Sequence, residues 1–381
     1  MRISKLIIDN LRNHEHTELH VSDGLNVIFG SNGEGKTTIL EAISICSFSK
    51  SFLPTSDSSL IQNGVSQFTV SITAENDMKL PYKAGVQFAA GARKKIHSSY
   101  GDNLTPKDII GCLPTVALSP DFKSLTFGAP SDRRSFIDRL LSQSSRTYMD
   151  NIYRLNKCLK QRNSLLSSAK SLGATDMELL DSWTEEMIKS SVEIISRRSS
   201  FINEFIPVFN RYYEIISGGK EQVSIKYEPS RLDTNDETLE KEKILQVYNE
   251  LAQKLRKEEM RRGITLFGPQ KDELKIMINS GVAKEYASQG QHKSLLISIK
   301  FAEFEYLKES THETPVFLLD DIFSELDSQR SEKIISLLKE NSAQTFITIT
   351  NPQRLISFIP ASRSKFFKVA GGVVQENGDY N

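Results

Sequence analysis

Gly30-Ser31-Asn32-Gly33-Glu34-Gly35-Lys36-Thr37 is the stretch that decides the fold. It fits G-x-x-x-x-G-K-[ST], in which the glycines let consecutive backbone N–H groups turn toward phosphate oxygens. Lys36 then places a point charge near the β and γ phosphates of a nucleotide, and the Thr37 hydroxyl suits Mg²⁺. A chance match in a chain of this length is roughly a one per cent event. The flanks agree with the motif. Leu25-Asn26-Val27-Ile28-Phe29 is a short apolar run that reads as a strand, and Ile39, Ala42, Ile43 and Cys46 recur at spacings of three and four. That spacing predicts one buried face of a helix beginning within the loop. The expected phosphate contacts are Gly30, Ser31, Asn32, Gly33, Glu34, Gly35, Lys36, Thr37 and the adjoining Thr38.

Residues 3 to 9 alternate polar and apolar, and Phe68 to Ile72 and Tyr82 to Phe88 do the same, so an antiparallel sheet is expected beside the first strand-loop-helix unit. Val316-Phe317-Leu318-Leu319 and Thr345-Phe346-Ile347-Thr348-Ile349 flank a helical stretch around Ile334 to Leu338, a β-α-β layout that implies buried parallel strands. Phe366 to Val369 and Val373 to Gln375, around Gly371-Gly372, read as a terminal hairpin. The strand at 316 runs into Asp320-Asp321. Beside a phosphate loop, Asp320 suits Mg²⁺ and Asp321 suits orienting or deprotonating an attacking water. Ser288-Gln289-Gly290-Gln291 precedes the apolar helix Leu295 to Phe304, and reads either as a second anion-binding surface or as a capped helix start.

Between about 131 and 262 apolar residues recur at helical spacing, among them Leu155, Leu159, Trp183, Met187, Phe205 and Tyr248. Gly173, Pro207 and Gly218-Gly219 interrupt the stripes, so compact helices are expected instead of a long coiled coil. The division is then 1–130 for the first part of an α/β lobe, 131–262 for a helical insertion, and 263–381 for the rest of the α/β lobe. Residues 131 to 170 carry a surplus of Lys and Arg, including Arg139, Arg146, Arg154, Lys157, Lys160 and Arg162, a candidate phosphate-backbone face or a solvated helix surface.

The chain has 381 residues, 48 basic and 48 acidic side chains, and 38% hydrophobic residues. That composition excludes a disordered or collagen-like class, and zero net charge excludes a globally basic nucleic-acid coat. No run approaches the 18 or so apolar residues needed to span a bilayer, and the start lacks a signal-peptide layout. A cytoplasmic protein is expected. Cys46, Cys112 and Cys158 form no ligand pattern, and His14, His16 and His20 lack a further metal ligand, although positions 14 and 16 would share a strand face.

The phosphate loop, the Ser-x-Gly-Gln element and the acidic pair, in that order and followed by Ser324-Glu325-Leu326-Asp327, resemble the head of ABC-type ATPases. Leu11-Arg12-Asn13-His14, Lys50-Ser51-Phe52, Leu118-Ser119-Pro120-Asp121, Gly268-Pro269-Gln270-Lys271-Asp272-Glu273 and Leu319-Asp320-Asp321-Ile322-Phe323 make the chain similar, over nearly its whole length, to the RecF family of bacterial recombinational-repair proteins, relatives of SMC heads. The resemblance implies an α/β ABC-type P-loop head with a compact helical second lobe. It implies a weak, DNA-stimulated ATPase that dimerises around ATP·Mg²⁺ and binds double-stranded, gapped and single-stranded DNA. It further implies partnership with RecR and RecO, help in loading RecA, and roles in replication-fork maintenance and the SOS response. Arg12 would join the nucleotide contacts, Ser288, Gly290 and Gln291 would reach the partner's γ-phosphate in trans, and Lys36, Asp320 and Asp321 would form the catalytic set, with Thr37 and Asp320 holding Mg²⁺.

The chain departs from the family pattern in having His14 for Tyr, and Gln270-Lys271 for His-Arg. Lys does not replace a planar, bidentate Arg. Thr348 or Thr350 stands where ABC ATPases carry a switch histidine, and Asp321 where transport ATPases carry Glu, so slow hydrolysis is expected. An ABC-type subunit coupled to a transport partner and a nucleotide-binding scaffold without turnover are the alternatives. The first would carry a Gln-loop and switch His in a shorter chain, and the second would be insensitive to loss of Asp321.

Overall fold

The computed structural model describes residues 1–219, 221–232, 240–359 and 363–378. The chain opens with β1 (Arg2–Leu11), β2 (His14–His20), β3 (Leu25–Phe29), α1 (Lys36–Phe48), β4 (Gln67–Glu75), β5 (Pro81–Ala89), β6 (Lys95–Ser98), β7 (Gly101–Leu104), α2 (Pro106–Ile109) and β8 (Thr115–Leu118). It continues with α3 (Ser124–Phe127), α4 (Pro130–Ser144), α5 (Arg146–Leu172), α6 (Met177–Ser217), β9 (Val223–Glu228), α7 (Lys241–Arg262), β10 (Glu273–Ile278), β11 (Gly281–Val282), α8 (Ala283–Tyr286) and α9 (Gln289–Thr311). It closes with β12 (Val316–Asp320), α10 (Ser328–Glu340), β13 (Thr345–Ile349), α11 (Gln353–Ile356), β14 (Ser364–Ala370) and β15 (Val373–Glu376). Two compact units result, Met1–Phe122 with Ile297–Asn381, and Lys123–Leu296.

In the first unit, one sheet has the order β2-β1-β4-β5-β6-β7 and is antiparallel throughout. The other has the order β15-β14-β3-β13-β12-β8, parallel except for the terminal β14–β15 hairpin. Every residue of β3, β12 and β13 is buried, which is why these strands read as continuous apolar runs instead of alternating ones. Helix α1 packs against strands of both sheets and is buried from Thr38 to Ser47. The expected single buried face is therefore a helix buried all round. Spacing alone could not reveal this, because both apolar and small polar residues of α1 face a sheet. β8, aligned parallel to β12 from Thr115 opposite Val316, has only four residues and gave no periodic signal.

The second unit joins long helices to a small sheet of order β11-β10-β9. β10 pairs antiparallel with β9, from Glu273 opposite Glu228 to Ile278 opposite Val223, and these backbone hydrogen bonds carry the stretch after 262 into the helical unit. Its bounds at Lys123 and Leu296 thus differ from the 131 and 262 read off the sequence. The unit is compact, as expected, but one of its helices is longer than the Pro and Gly interruptions suggested. α6 runs for 41 residues, about 60 Å at the usual helical rise, straight through Pro207. A proline inside a helix costs about 3 kcal/mol. Phe201, Phe205, Phe209, Tyr212, Tyr213 and Ile216 are buried along one stripe on both sides of it, each contributing roughly 1.5–3 kcal/mol, so burial outweighs the proline. Gly173 and Gly218 do stop α5 and α6, each as a left-handed C-cap.

Candidate nucleotide-binding site

β3 ends at Phe29 and α1 begins at Lys36, so Gly30–Gly35 must turn between a buried strand and a buried helix. Gly30, Gly33 and Gly35 all have positive φ, the conformations that only glycine adopts without strain. The Lys36 and Thr37 N–H groups at the start of α1 are available to an anion, whereas the Thr38 N–H donates to the Gly35 carbonyl at 3.2 Å. A cleft of about 570 Å³ lies here, lined by Arg12, Asn13, Asn32, Gly33, Gly35, Lys36, Thr37, Thr38, Glu41, Asp320, Asp321 and Thr348, among others. Lys36 Nζ donates to the carbonyls of Gly30 and Ser31, both at 2.7 Å. Burial pushes the Lys36 ammonium below its usual range, against the pull of Asp321, Asp320 and Glu34.

The C-terminal end of β12 delivers the acidic pair to the same cleft. Thr37 Oγ1 and Thr348 Oγ1 both donate to Asp320 Oδ1 at 2.7 Å, and the Asp321 N–H donates to Thr348 Oγ1 at 2.9 Å. Burial pushes the Asp320 carboxyl up, against the hydroxyls of Thr348 and Thr37. Asp321 sits in the left-handed region at φ 49°, and its buried Oδ1 has no hydrogen-bond partner among the described residues. A hydroxyl, a desolvated carboxylate and an orphaned carboxylate oxygen form an all-oxygen donor set. That set fits Mg²⁺ and a water near it better than a soft transition metal.

Arg12, at φ 54°, binds Glu41 through Nε (2.5 Å) and Nη2 (2.8 Å). Glu41 is fully buried in α1 and also accepts from Ser51 Oγ at 2.8 Å. The hydrogen bond to Glu41 raises the Arg12 guanidinium pKa. Arg12 therefore borders the cleft with its fork already engaged. The Glu34 carboxylate accepts from the Gly371 N–H, so its side chain is engaged within the fold. Glu41 is a cleft residue that the motifs did not single out, whereas Asn13 lies in the Leu11–His14 block and Thr348 at the switch position. The one available signal was a glutamate inside an otherwise apolar and small-residue helix.

Ser288, Gly290 and Gln291 fold within the second unit. The Ser288 N–H donates to Gln291 Oε1 at 2.6 Å and the Gln291 N–H to Ser288 Oγ at 3.3 Å, a reciprocal cap at the start of α9. Ser288 is exposed. Arg162, expected on a basic surface, is buried: it donates to Glu259 Oε2 at 2.5 Å and to Thr265 Oγ1 at 2.8 Å. Arg133 is likewise held by Glu273. Arg154, Lys157 and Lys160 are exposed on α5. Lys271 is also exposed, whereas Gln270 donates to the Phe267 carbonyl at 2.7 Å. His14 turns inward and His16 outward, so they do not share a face, and His16 pairs with Asp9. Thr350 is exposed, which leaves Thr348 as the threonine that meets the acidic pair.

The RecF/RecN/SMC N-terminal domain model matches residues 2–372. The DNA replication and repair protein RecF of Chloroherpeton thalassium is 36% identical over 355 residues, covering 92% of this chain and 95% of that protein. The chain belongs to the RecF family. The RecF protein of Bacteroides thetaiotaomicron is 34% identical over 99% of both chains. A solved recombination mediator protein RecF with ATP, of the RecFOR pathway, superposes with a TM-score of 0.90 at 28% identity, covering 99% of this chain and 98% of that one. An Smc head bound to the C-winged helix domain of ScpA shares the fold, with a TM-score of 0.56 at 15% identity. The α/β ABC-type head read from the sequence is thus the RecF-family fold. Among the described residues no helix is long and apolar enough to cross a membrane.

Proposed function

We propose that this RecF-family chain is an ATP-dependent DNA-binding protein of recombinational repair and replication. ATP·Mg²⁺ draws two copies into a dimer that grips double-stranded, gapped and single-stranded DNA, and slow hydrolysis releases it. The observation that carries the reading is the Thr37–Asp320–Thr348–Asp321 chain of 2.7–2.9 Å hydrogen bonds beside a complete phosphate loop. Loop N–H groups and Lys36 hold the phosphates, and Thr37 and Asp320 hold Mg²⁺. The metal neutralises charge on the β and γ oxygens when bound. Asp321 accepts a hydrogen bond from the attacking water through its free Oδ1 and takes up its proton. Thr348, which has no titratable nitrogen, fixes the Asp321 backbone without serving as a second base, in keeping with slow turnover. Ser288, Gly290 and Gln291 of one copy cap the γ-phosphate held by the other. RecR, RecO and RecA are the partners this family membership brings with it.

The test is DNA binding and solution mass of the purified protein with ATP·Mg²⁺, with ADP and without nucleotide, for wild type and Ser288→Arg. ATP alone is expected to produce a dimer that grips duplex DNA, and the substitution to abolish both. A chain that stays monomeric, or that binds DNA equally in all three states, sinks the clamp.

Arg154→Glu, Lys157→Glu and Lys160→Glu are each expected to weaken DNA binding. Each should also lower the slope of log affinity against log salt by roughly one, with melting unchanged. Arg162→Ala is expected to do the opposite, lowering the melting temperature because Glu259 is left buried and unpaired, with an unchanged salt slope for the folded fraction. Titrations of labelled duplex at several salt concentrations separate the two behaviours.

A further inference from the structure

Three successive carbonyls of the phosphate loop are held from outside. Asn13 Nδ2 donates to the Gly33 oxygen at 3.5 Å, the Gly372 N–H to the Glu34 oxygen at 3.0 Å, and His14 Nε2 to the Gly35 oxygen at 3.0 Å. The Glu34 carboxylate accepts from the Gly371 N–H as well. His14 is fully buried, and its Nδ1 faces Thr17 Oγ1 at 2.9 Å. A carbonyl can only accept, so Nε2 carries the proton and Nδ1 accepts from the Thr17 hydroxyl. The two holding segments also meet each other. A Cβ on Gly372, whose φ is 80°, would lie 2.0 Å from the Asn13 oxygen, and one on Gly35 would lie 2.6 Å from His14 Nε2. β14 lies parallel to β3 with Lys368 opposite Phe29, so the β14–β15 turn is delivered onto the loop that β3 feeds.

We propose that Glu34, His14 and the Gly371-Gly372 turn are positioning residues that form a collar fixing the peptide planes of the phosphate loop for its nucleotide. The inference rests on the reading that this loop binds ATP. In a trans peptide the C=O of one residue and the N–H of the next point in opposite directions. Carbonyls of Gly33, Glu34 and Gly35 tied outward therefore aim the N–H groups of Glu34, Gly35 and Lys36 inward. A glycine-rich loop left free samples many conformations and must be ordered when ligand binds; the collar removes that cost beforehand. The partners come from the β1–β2 turn and from the last hairpin of the chain, so the C-terminal strands serve the site although none of their side chains needs to touch the nucleotide.

The test is calorimetric titration of the full chain with ATP·Mg²⁺ and with ADP·Mg²⁺, alongside melting without nucleotide, for wild type, Glu34→Ala, Glu34→Gln, His14→Phe and Gly372→Ala. Glu34→Ala is expected to weaken both nucleotides by about tenfold at an unchanged nucleotide-free melting temperature. Glu34→Gln keeps an acceptor oxygen and should bind as wild type does. His14→Phe and Gly372→Ala should weaken both nucleotides at least as much as Glu34→Ala does. Wild-type affinity in Glu34→Ala, or an equal loss in Glu34→Gln, overturns the collar while leaving the ATP reading intact. A wild-type chain that takes up neither nucleotide overturns both.

Discussion

Asp320→Asn lowers the rate of Mg²⁺-dependent ATP hydrolysis by at least about a hundredfold, yet leaves the nucleotide-free protein no less stable than wild type. The two halves of this expectation have separate causes. The Thr37 and Thr348 hydroxyls both donate to Asp320 Oδ1, and an asparagine oxygen there accepts the same two hydrogen bonds. The packing of β12 is unchanged by an isosteric side chain. Burial already pushes the Asp320 carboxyl up, so in the absence of a cation the ionised form is a burden on the fold that asparagine does not carry. What asparagine lacks is the negative charge that the proposed Mg²⁺ role of this position requires. Hydrolysis assays over a Mg²⁺ series and melting curves without nucleotide read the two halves independently. Wild-type turnover in the variant would remove Asp320 from the metal set. A large fall in the nucleotide-free melting temperature would show that the carboxylate supports the fold instead.

The largest loss of stability is expected from Arg198→Met. Arg198 is buried on α6 and donates to Asp272 Oδ2 at 2.9 Å, the Pro269 carbonyl at 2.9 Å and Asp138 Oδ1 at 2.8 Å, with Nε on the Tyr148 hydroxyl at 3.0 Å. Asp272, fully buried, accepts also from the Tyr227 hydroxyl and from the Ser230 N–H at 2.8 Å. One guanidinium thus ties together α4, α5, α6 and the 268–272 loop, and through Asp272 it reaches Tyr227 on β9. Removing it leaves the Asp272 charge buried and uncompensated, which costs about 3–5 kcal/mol. Burial pushes the Asp272 carboxyl up even with Arg198 beside it, and losing that cation raises it further. A carboxyl with a raised native pKa binds its proton more tightly folded than unfolded, so the variant loses stability as the pH rises above the ordinary aspartate range. It should be least impaired at acid pH. Arg198→Met with Asp272→Asn should recover much of the loss, whereas Arg198→Lys should not, because one ammonium cannot reproduce the fork. Trp183 is the only tryptophan in the sequence and lies on α6, so its fluorescence during guanidinium unfolding reports this unit directly. Wild-type stability in the single variant would mean that the network carries none of the fold.

Gly30–Thr37 was legible in the chain because it places a rare combination of residue types at a fixed spacing beside an apolar run, and Asp320-Asp321 and Ser288–Gln291 gained meaning only in company with it. The strands at 25, 316 and 345 were legible because burial on both faces leaves no polar alternation. Pro207 misled because a local rule about a missing N–H says nothing of six aromatic and aliphatic side chains buried around it. Arg162 and Arg154 look alike as letters, eight residues apart on one helix. Only packing decides that one meets Glu259 in the interior and the other meets solvent.

The phosphate loop, the acidic strand end and the family follow from the order of residues alone. Covalent order and residue type suffice for those, since their chemistry is local. The tertiary structure alone decided that Thr348 bridges the two aspartates, that Glu41 holds Arg12, and that Gly371-Gly372, more than 330 positions away, closes on Glu34. These contacts depend on which strands lie side by side and in what register. That is settled by the burial of whole sheets and leaves no mark on the few residues that meet.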